Sequence, residues 1–232
     1  LLSHAGPGIN VTDIAADMAT FAVQGPDSLD VLRRVGDIGS IEPLGYFSFG
    51  DTKLNGISCR IGRLGYTGEA GIEIIFSRER AHDLWQALSA HAQPAGFIAA
   101  DMLRIEAGFV LFSNEFRLPV SPREAGLEKF YRTGDLPMPQ IALISFCADA
   151  NSLRWPWQPL RELQRPVTPG EIVVTSACKS IAAGGILGLG YVVAGTDIGA
   201  SLHDPAGIFR NIRRTTLPFY DPAKRRPRQP WR

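Results

Sequence analysis

The segment RLGYTGEAGIEI, residues 63–74, decides how this chain is read. Gly71 to Phe76, GIEIIF, has the apolar, β-branched composition of a strand. Alternation places Ile72 and Ile74 on one face and Gly71, Glu73 and Ile75 on the other. Glu73 is the odd member. If the second face meets water, Glu73 is an ordinary exposed strand residue. If it meets a cleft, the carboxylate needs a partner, because an unpaired buried charge is costly. A flat heterocycle with adjacent N–H donors is one such partner. Gly65, Gly68 and Gly71 fit neither the dinucleotide fingerprint nor the P-loop, so they predict a tight turn beside a ligand or another backbone. Tyr66, at the tip of that turn, either packs on the core or covers a ligand.

Working outward, ATFAVQ (19–24) reads as a strand and GPDSLDVLRRVGD as a helix, with Pro26 in its first turn and Gly36 at its end. FSFGDTKLNGISCRIGR reads as a hairpin turning at Asn55-Gly56. SRERAHDLWQALSAHA is an amphipathic helix with Ser77 as its N-cap and Ala81, Leu84, Trp85 and Leu88 on the core side. GFIAADMLRIEAG is a further helix, on which Asp101 and Glu106 flank Arg104 as structural ion-pair partners. From about residue 135 the texture changes. GDLPMPQ is linker-like, and IALISF, EIVVTS and ILGLGYVV are short strands between Gly, Pro and polar residues. The expectation is an α+β part, residues 1–136, followed by a smaller antiparallel all-β part, residues 137–232.

Bulk properties exclude several function classes. Of 232 residues, 45% are hydrophobic and 20% charged, which suits a soluble globular chain. The net charge of +1 gives no global attraction to nucleic acid or a membrane surface. The basic end, KRRPRQPWR, is expected to be a solvated tail. Cys59, Cys147 and Cys178 form no C-x-x-C and no zinc spacing with histidine, so buried thiols in a reducing, cytoplasmic compartment and no metal site are expected. His4, His82, His91 and His203 assemble no nucleophilic triad. No apolar run is long enough to span a bilayer. The chain starts without Met and enters a strand pattern quickly, as an interior piece of a longer chain would.

Five segments occur together in a recognisable order: FAVQGPDSLDVL (21–32), GYTGEAGIEI (65–74), DMLRIEAG (101–108), SPREAGL (121–127) and VTS…GLGYV (174–192). The set resembles the aminomethyltransferase (glycine cleavage T-protein) superfamily and covers nearly the whole chain. The resemblance implies a tetrahydrofolate-binding, ferredoxin-like domain, incomplete at its N-terminus, followed by a small C-terminal antiparallel β-barrel. It implies that Glu73, the second glutamate of the motif, pairs with the pterin ring and that Tyr66 lines the same pocket. The implied activity is transfer of an aminomethyl or methyl unit from a small amine or methylated donor to folate N5. The alternative is a non-catalytic folate-binding or assembly subunit completed by a partner or a second copy. The family's catalytic acid lies upstream of this chain, so no catalytic residue is assigned. Ala100 stands where glycine-cleavage members carry arginine, and TSACKSIAAGG departs from their usual segment. PFYDPAKRR is closer to the sarcosine- and dimethylglycine-oxidising and demethylase branches.

Overall fold

The computed structural model describes residues 6–131, 137–149, 166–216 and 218–230. His4, the first three residues of the linker-like stretch (134–136) and the last two residues of the basic end lie outside the described residues. The chain divides into two compact units. The first comprises Leu1–Gly65, Glu69–Pro94 and Arg226–Arg232; the second comprises Tyr66–Gly68 and Ala95–Arg225.

The first unit is a five-stranded antiparallel sheet with two helices. Its strands are β1 (Met18–Gln24), β2 (Gly36–Asp37), β3 (Phe49–Leu54), β4 (Ile57–Gly62) and β5 (Gly71–Ser77), in the order β1-β5-β4-β3-β2. Asn55 and Gly56 join β3 to β4 with φ of 48° and 72°, the left-handed pair that a two-residue hairpin turn needs. Helix α1 (Ser28–Val35) buries Leu29, Val31 and Leu32, and α2 (Ala81–Ser89) buries Leu84 and Leu88. These side chains meet Ile61, Ile72, Ile74 and Phe76 in one core. Burying each such side chain stabilises the fold by about 1.5–3 kcal/mol. Ser77 makes no capping hydrogen bond; a 3-10 turn, Arg78–Arg80, intervenes before α2. Trp85 stays 46% exposed and meets Phe21 edge-on.

The basic C-terminal stretch is expected to be solvated, but Arg226 to Gln229 pack within this first unit. Arg226 Nη1 donates to Glu69 Oε1 at 2.9 Å, and Pro227 is buried. The carbonyl of Gln229 accepts a hydrogen bond from Arg63 Nη2. The cause is Arg63 itself: it is 5% exposed, and a buried guanidinium must find acceptors. Leu44 supplies another carbonyl at 2.6 Å.

In the second unit a four-stranded antiparallel sheet is built from β6 (Ile141–Asp149), β7 (Val173–Ser180), β8 (Gly185–Val193) and β9 (Arg210–Thr215), in the order β7-β8-β6-β9. Isolated bridges join Leu202 to Ile212 of β9 and His203 to Glu171, two residues before β7. Helices α3 (Phe97–Glu106) and α4 (Phe112–Glu115) belong to the same unit. Ile105 of α3 packs with Cys178 and Leu187. No helix among the described residues is long and apolar enough to cross a membrane.

Candidate functional site

The register of the first sheet fixes the surroundings of Glu73. Ile72, Ile74 and Phe76 enter the core, so Gly71, Glu73 and Ile75 occupy the outer face. Opposite Glu73 stand Ala22 on β1 and Gly62 on β4, and Gly62 in turn faces Phe49 on β3. The row Ala22–Glu73–Gly62–Phe49 therefore has one acid, two residues with almost no side chain and one aromatic that is 66% exposed. A Cβ at Gly62 would come within 3.1 Å of Leu64 Cδ2. Leu64 therefore covers Gly62 on the β4 side of the carboxylate, and Ala22 is its small neighbour on the β1 side.

Glu73 is half-buried, and among the described residues its carboxylate has no hydrogen-bond or ion-pair partner. Burial pushes its pKa above the ordinary carboxylate value, with no neighbouring cation to pull it back. A partly desolvated acid without compensation keeps its full capacity to accept hydrogen bonds.

Two of the turn's glycines serve a third group. A Cβ at Gly65 would fall 2.1 Å from Gln24 Oε1, and one at Gly71 would fall 2.4 Å from the same atom. Gln24 fills the space between them, and its Nε2 donates to the Ile72 carbonyl at 2.9 Å and to Leu64 at 3.3 Å. The glycines are needed here to admit a glutamine that ties β1 to both ends of the turn.

Tyr66 to Gly68 pack with the second unit. Gly68 has φ of +77°, and a Cβ there would lie 2.5 Å from Ala107 Cβ. Tyr66 is 40% exposed and stacks on Phe109, with centroids 5.4 Å apart and planes 20° apart. Burial raises the Tyr66 phenol above its ordinary pKa; Glu115 and Asp101 push the same way, while Arg104 opposes them.

Beside this stack lies a buried network that sequence reasoning foresaw only in part. Arg104 is 1% exposed, and its Nε donates to Asp101 at 2.8 Å. Its Nη1 donates to Glu115 at 3.2 Å and to the Phe109 carbonyl at 3.0 Å; its Nη2 donates to Ser176 Oγ at 2.6 Å. Glu115, fully buried, also accepts from Leu111 N at 2.6 Å, from Thr175 at 2.9 Å and from Ser176. Successive strand residues normally point to opposite faces. A bulge between Val174 and Ser176 lets Thr175 and Ser176 reach the same carboxylate. Glu106, expected to flank Arg104, instead accepts Ser180 Oγ at 2.5 Å.

Other candidates resolve to structural roles. His82 and His91 are exposed, and no group of three metal-ligating side chains exists among the described residues. The cysteines form no disulfide, and burial pushes the Cys178 thiol up to about 12, which leaves it without nucleophilic character at neutral pH. A cavity of about 760 Å³ opens in the second unit beside Leu118, Ile141 and Val193, with neither Glu73 nor Tyr66 in its wall. Its acid, Glu124, is taken up by the amides of Ser121, Gln140 and Ile141.

Residues 1–134 match the family described as the GCVT N-terminal domain. A probable aminomethyltransferase of Halobacterium salinarum is 33% identical over 234 residues, which cover 91% of this chain and 61% of that protein. The aminomethyltransferase of Chlorobaculum tepidum is 40% identical over 135 residues, covering 55% of this chain and 37% of that protein. The chain thus spans between about a third and two thirds of the length of these relatives. The crystal structure of glycine cleavage system aminomethyltransferase T from Bartonella henselae superimposes with a TM-score of 0.66, over 93% of this chain and 61% of that one. At 21% identity that likeness speaks to fold.

Proposed function

The chain belongs to the GCVT family, matched over residues 1–134 of its 232, and from that premise we propose that it binds tetrahydrofolate and serves in moving a one-carbon unit onto it. The observation that carries this reading is Glu73: a half-buried carboxylate on the outer face of the sheet beside Ala22, its pKa raised by burial and its hydrogen-bonding capacity unspent among the described residues. A pterin ring offers an N–H and a 2-amino group side by side, which a carboxylate accepts as two parallel hydrogen bonds. Ala22 is the small neighbour on the β1 side of the acid, and Leu64 covers Gly62 on the β4 side, where it would meet the ring's edge. Tyr66 is the second residue proposed to bind the cofactor. When bound, the folate supplies N5 as the atom that receives the one-carbon unit. The chain's own contribution is to hold the ring and orient it, while the ring's paired N–H donors offset the burial that disfavours the ionised carboxylate.

The donor is proposed to be a small amine or methylated compound, with N-methyl amines of the sarcosine and dimethylglycine type preferred on the strength of the PFYDPAKRR segment. A second reading is a folate-binding subunit that needs a partner or second copy to complete its site, since the family's catalytic acid is not assigned on this chain; Ala100, exposed on α3 in the place of the family arginine, instead favours a relative that binds no folate. We also place the sequence boundary between the two domains at 136/137, supported by the family match ending at 134. A ferredoxin-like arrangement for the first unit and closure of the smaller sheet into a barrel belong to the same proposal; the bridges at Leu202 and His203 support closure. Unpaired cysteines agree with a reducing, cytoplasmic setting.

The test is equilibrium binding of tetrahydrofolate, followed by an assay for methylene- or methyl-folate with sarcosine, dimethylglycine and the aminomethyl donor of glycine cleavage. Binding with transfer supports the leading reading. Binding without transfer from any donor moves the assignment to the second. No binding rejects both.

A further inference from the structure

We propose that Phe109 is the positioning residue for Tyr66, a platform that fixes the tyrosine ring for ligand recognition. The proposal rests on the reading of Tyr66 as a cofactor-binding residue. Three observations within the second unit carry it. The two rings stack with a lateral offset, 5.4 Å between centroids and 20° between planes, and the tyrosine keeps 40% of its surface open. Lys224 Nζ sits 4.3 Å from the centroid of Phe109, so that ring is held by a cation as well. Both sides of the stack are anchored. The Phe109 carbonyl accepts from Arg104 Nη1 at 3.0 Å and its amide donates to the Arg104 carbonyl at 2.8 Å, while Gly68 is pressed against Ala107.

The physical sense is preorganisation. An exposed tyrosine on a glycine turn samples several rotamers, and fixing one of them on binding costs conformational entropy. A platform tied to a buried ion network meets that cost during folding. Phe109 does this without touching the ligand, so its effect is transmitted through the tyrosine ring. Neither residue lies in a regular element, and their 43-residue separation hid the pair from pattern reading.

The experiment uses the full chain labelled with 3-fluorotyrosine, with the residue-66 resonance assigned by its loss in Tyr66→Phe. In Phe109→Leu that ¹⁹F resonance is expected to move, and the Kd for tetrahydrofolate to rise about three- to tenfold, the scale of one aromatic pair. Phe109→Tyr, which keeps a ring, is expected to restore both. If Phe109→Leu does not fold, Lys224→Gln is expected to move the same resonance by a smaller amount. An unmoved resonance in the folded variant overturns the proposal, as does an equal loss of affinity in Phe109→Tyr and Phe109→Leu. Should the wild-type chain bind no tetrahydrofolate, the cofactor reading falls, and the resonance alone decides whether the platform exists.

Discussion

Two acids of this chain lead opposite lives. Glu115 is fully buried and satisfied, with a guanidinium, two hydroxyls and a backbone amide around it. Glu73 is only half-buried, yet no partner meets it among the described residues. The difference separates a carboxylate whose hydrogen-bonding capacity is spent on the fold from one whose capacity is not. Burial by itself says little, because a buried charge survives when the fold brings donors to it. What marks Glu73 is partial desolvation without compensation, beside Ala22 on the outer face of the sheet. The fold tolerates that arrangement because half-exposure keeps water within reach.

The largest break in this comparison is on the structural side. Arg104→Ala leaves Glu115 and Asp101 without their cation and is expected to lower stability by about 3–5 kcal/mol, read from urea midpoints. A loss under about 1 kcal/mol would show that the network is not holding α3 and α4 to β7. Next comes the turn. Gly68→Ala places a methyl at φ +77° and 2.5 Å from Ala107 Cβ, with an expected loss of roughly 1–2 kcal/mol from the left-handed backbone alone. An unchanged melting temperature would mean that the turn relaxes freely.

The smallest effect concerns pH. Burial raises the folded-state pKa of Glu73 above its ordinary 4.5, so the folded chain favours the protonated acid. Stability from that preference is fully present below the unfolded pKa and is lost as pH rises through the folded one. Wild type should therefore lose stability relative to Glu73→Gln as pH climbs from the ordinary carboxylate value upward through the raised one. Denaturation curves that stay parallel across this range would contradict the desolvation assigned to Glu73. Tetrahydrofolate should abolish the difference by supplying donors to the ionised form.

Much of the first unit was legible because its signals are local. Asn55-Gly56 dictates a hairpin, and the alternation through Ile72, Ile74 and Phe76 dictates which face Glu73 takes. Family membership was legible from motif order. The network around Arg104 was less so. Asp101 lies three positions away and was anticipated, but Glu115 sits in a helix of four residues, and its hydroxyl partners are 60 and 61 positions distant. Strand β9, RNIRRT, has an arginine at three of its six positions and lacks the apolar alternation that reveals a strand. The basic end looked like a solvated tail because its acceptor role toward Arg63 spans 166 positions. Composition reports local preference; contacts of that length depend on the finished fold.

The central claim, that Glu73 is kept at its position by a ring with paired donors, is tested most directly by calorimetric titration of tetrahydrofolate into wild type and Glu73→Gln at neutral pH, with urea midpoints measured alongside. The expected result is a loss of about 1.5–3 kcal/mol in binding, the scale of hydrogen bonds to a charged group, at equal or slightly higher stability. Equal affinity in the two proteins would contradict the assignment and return Glu73 to the status of an ordinary surface acid.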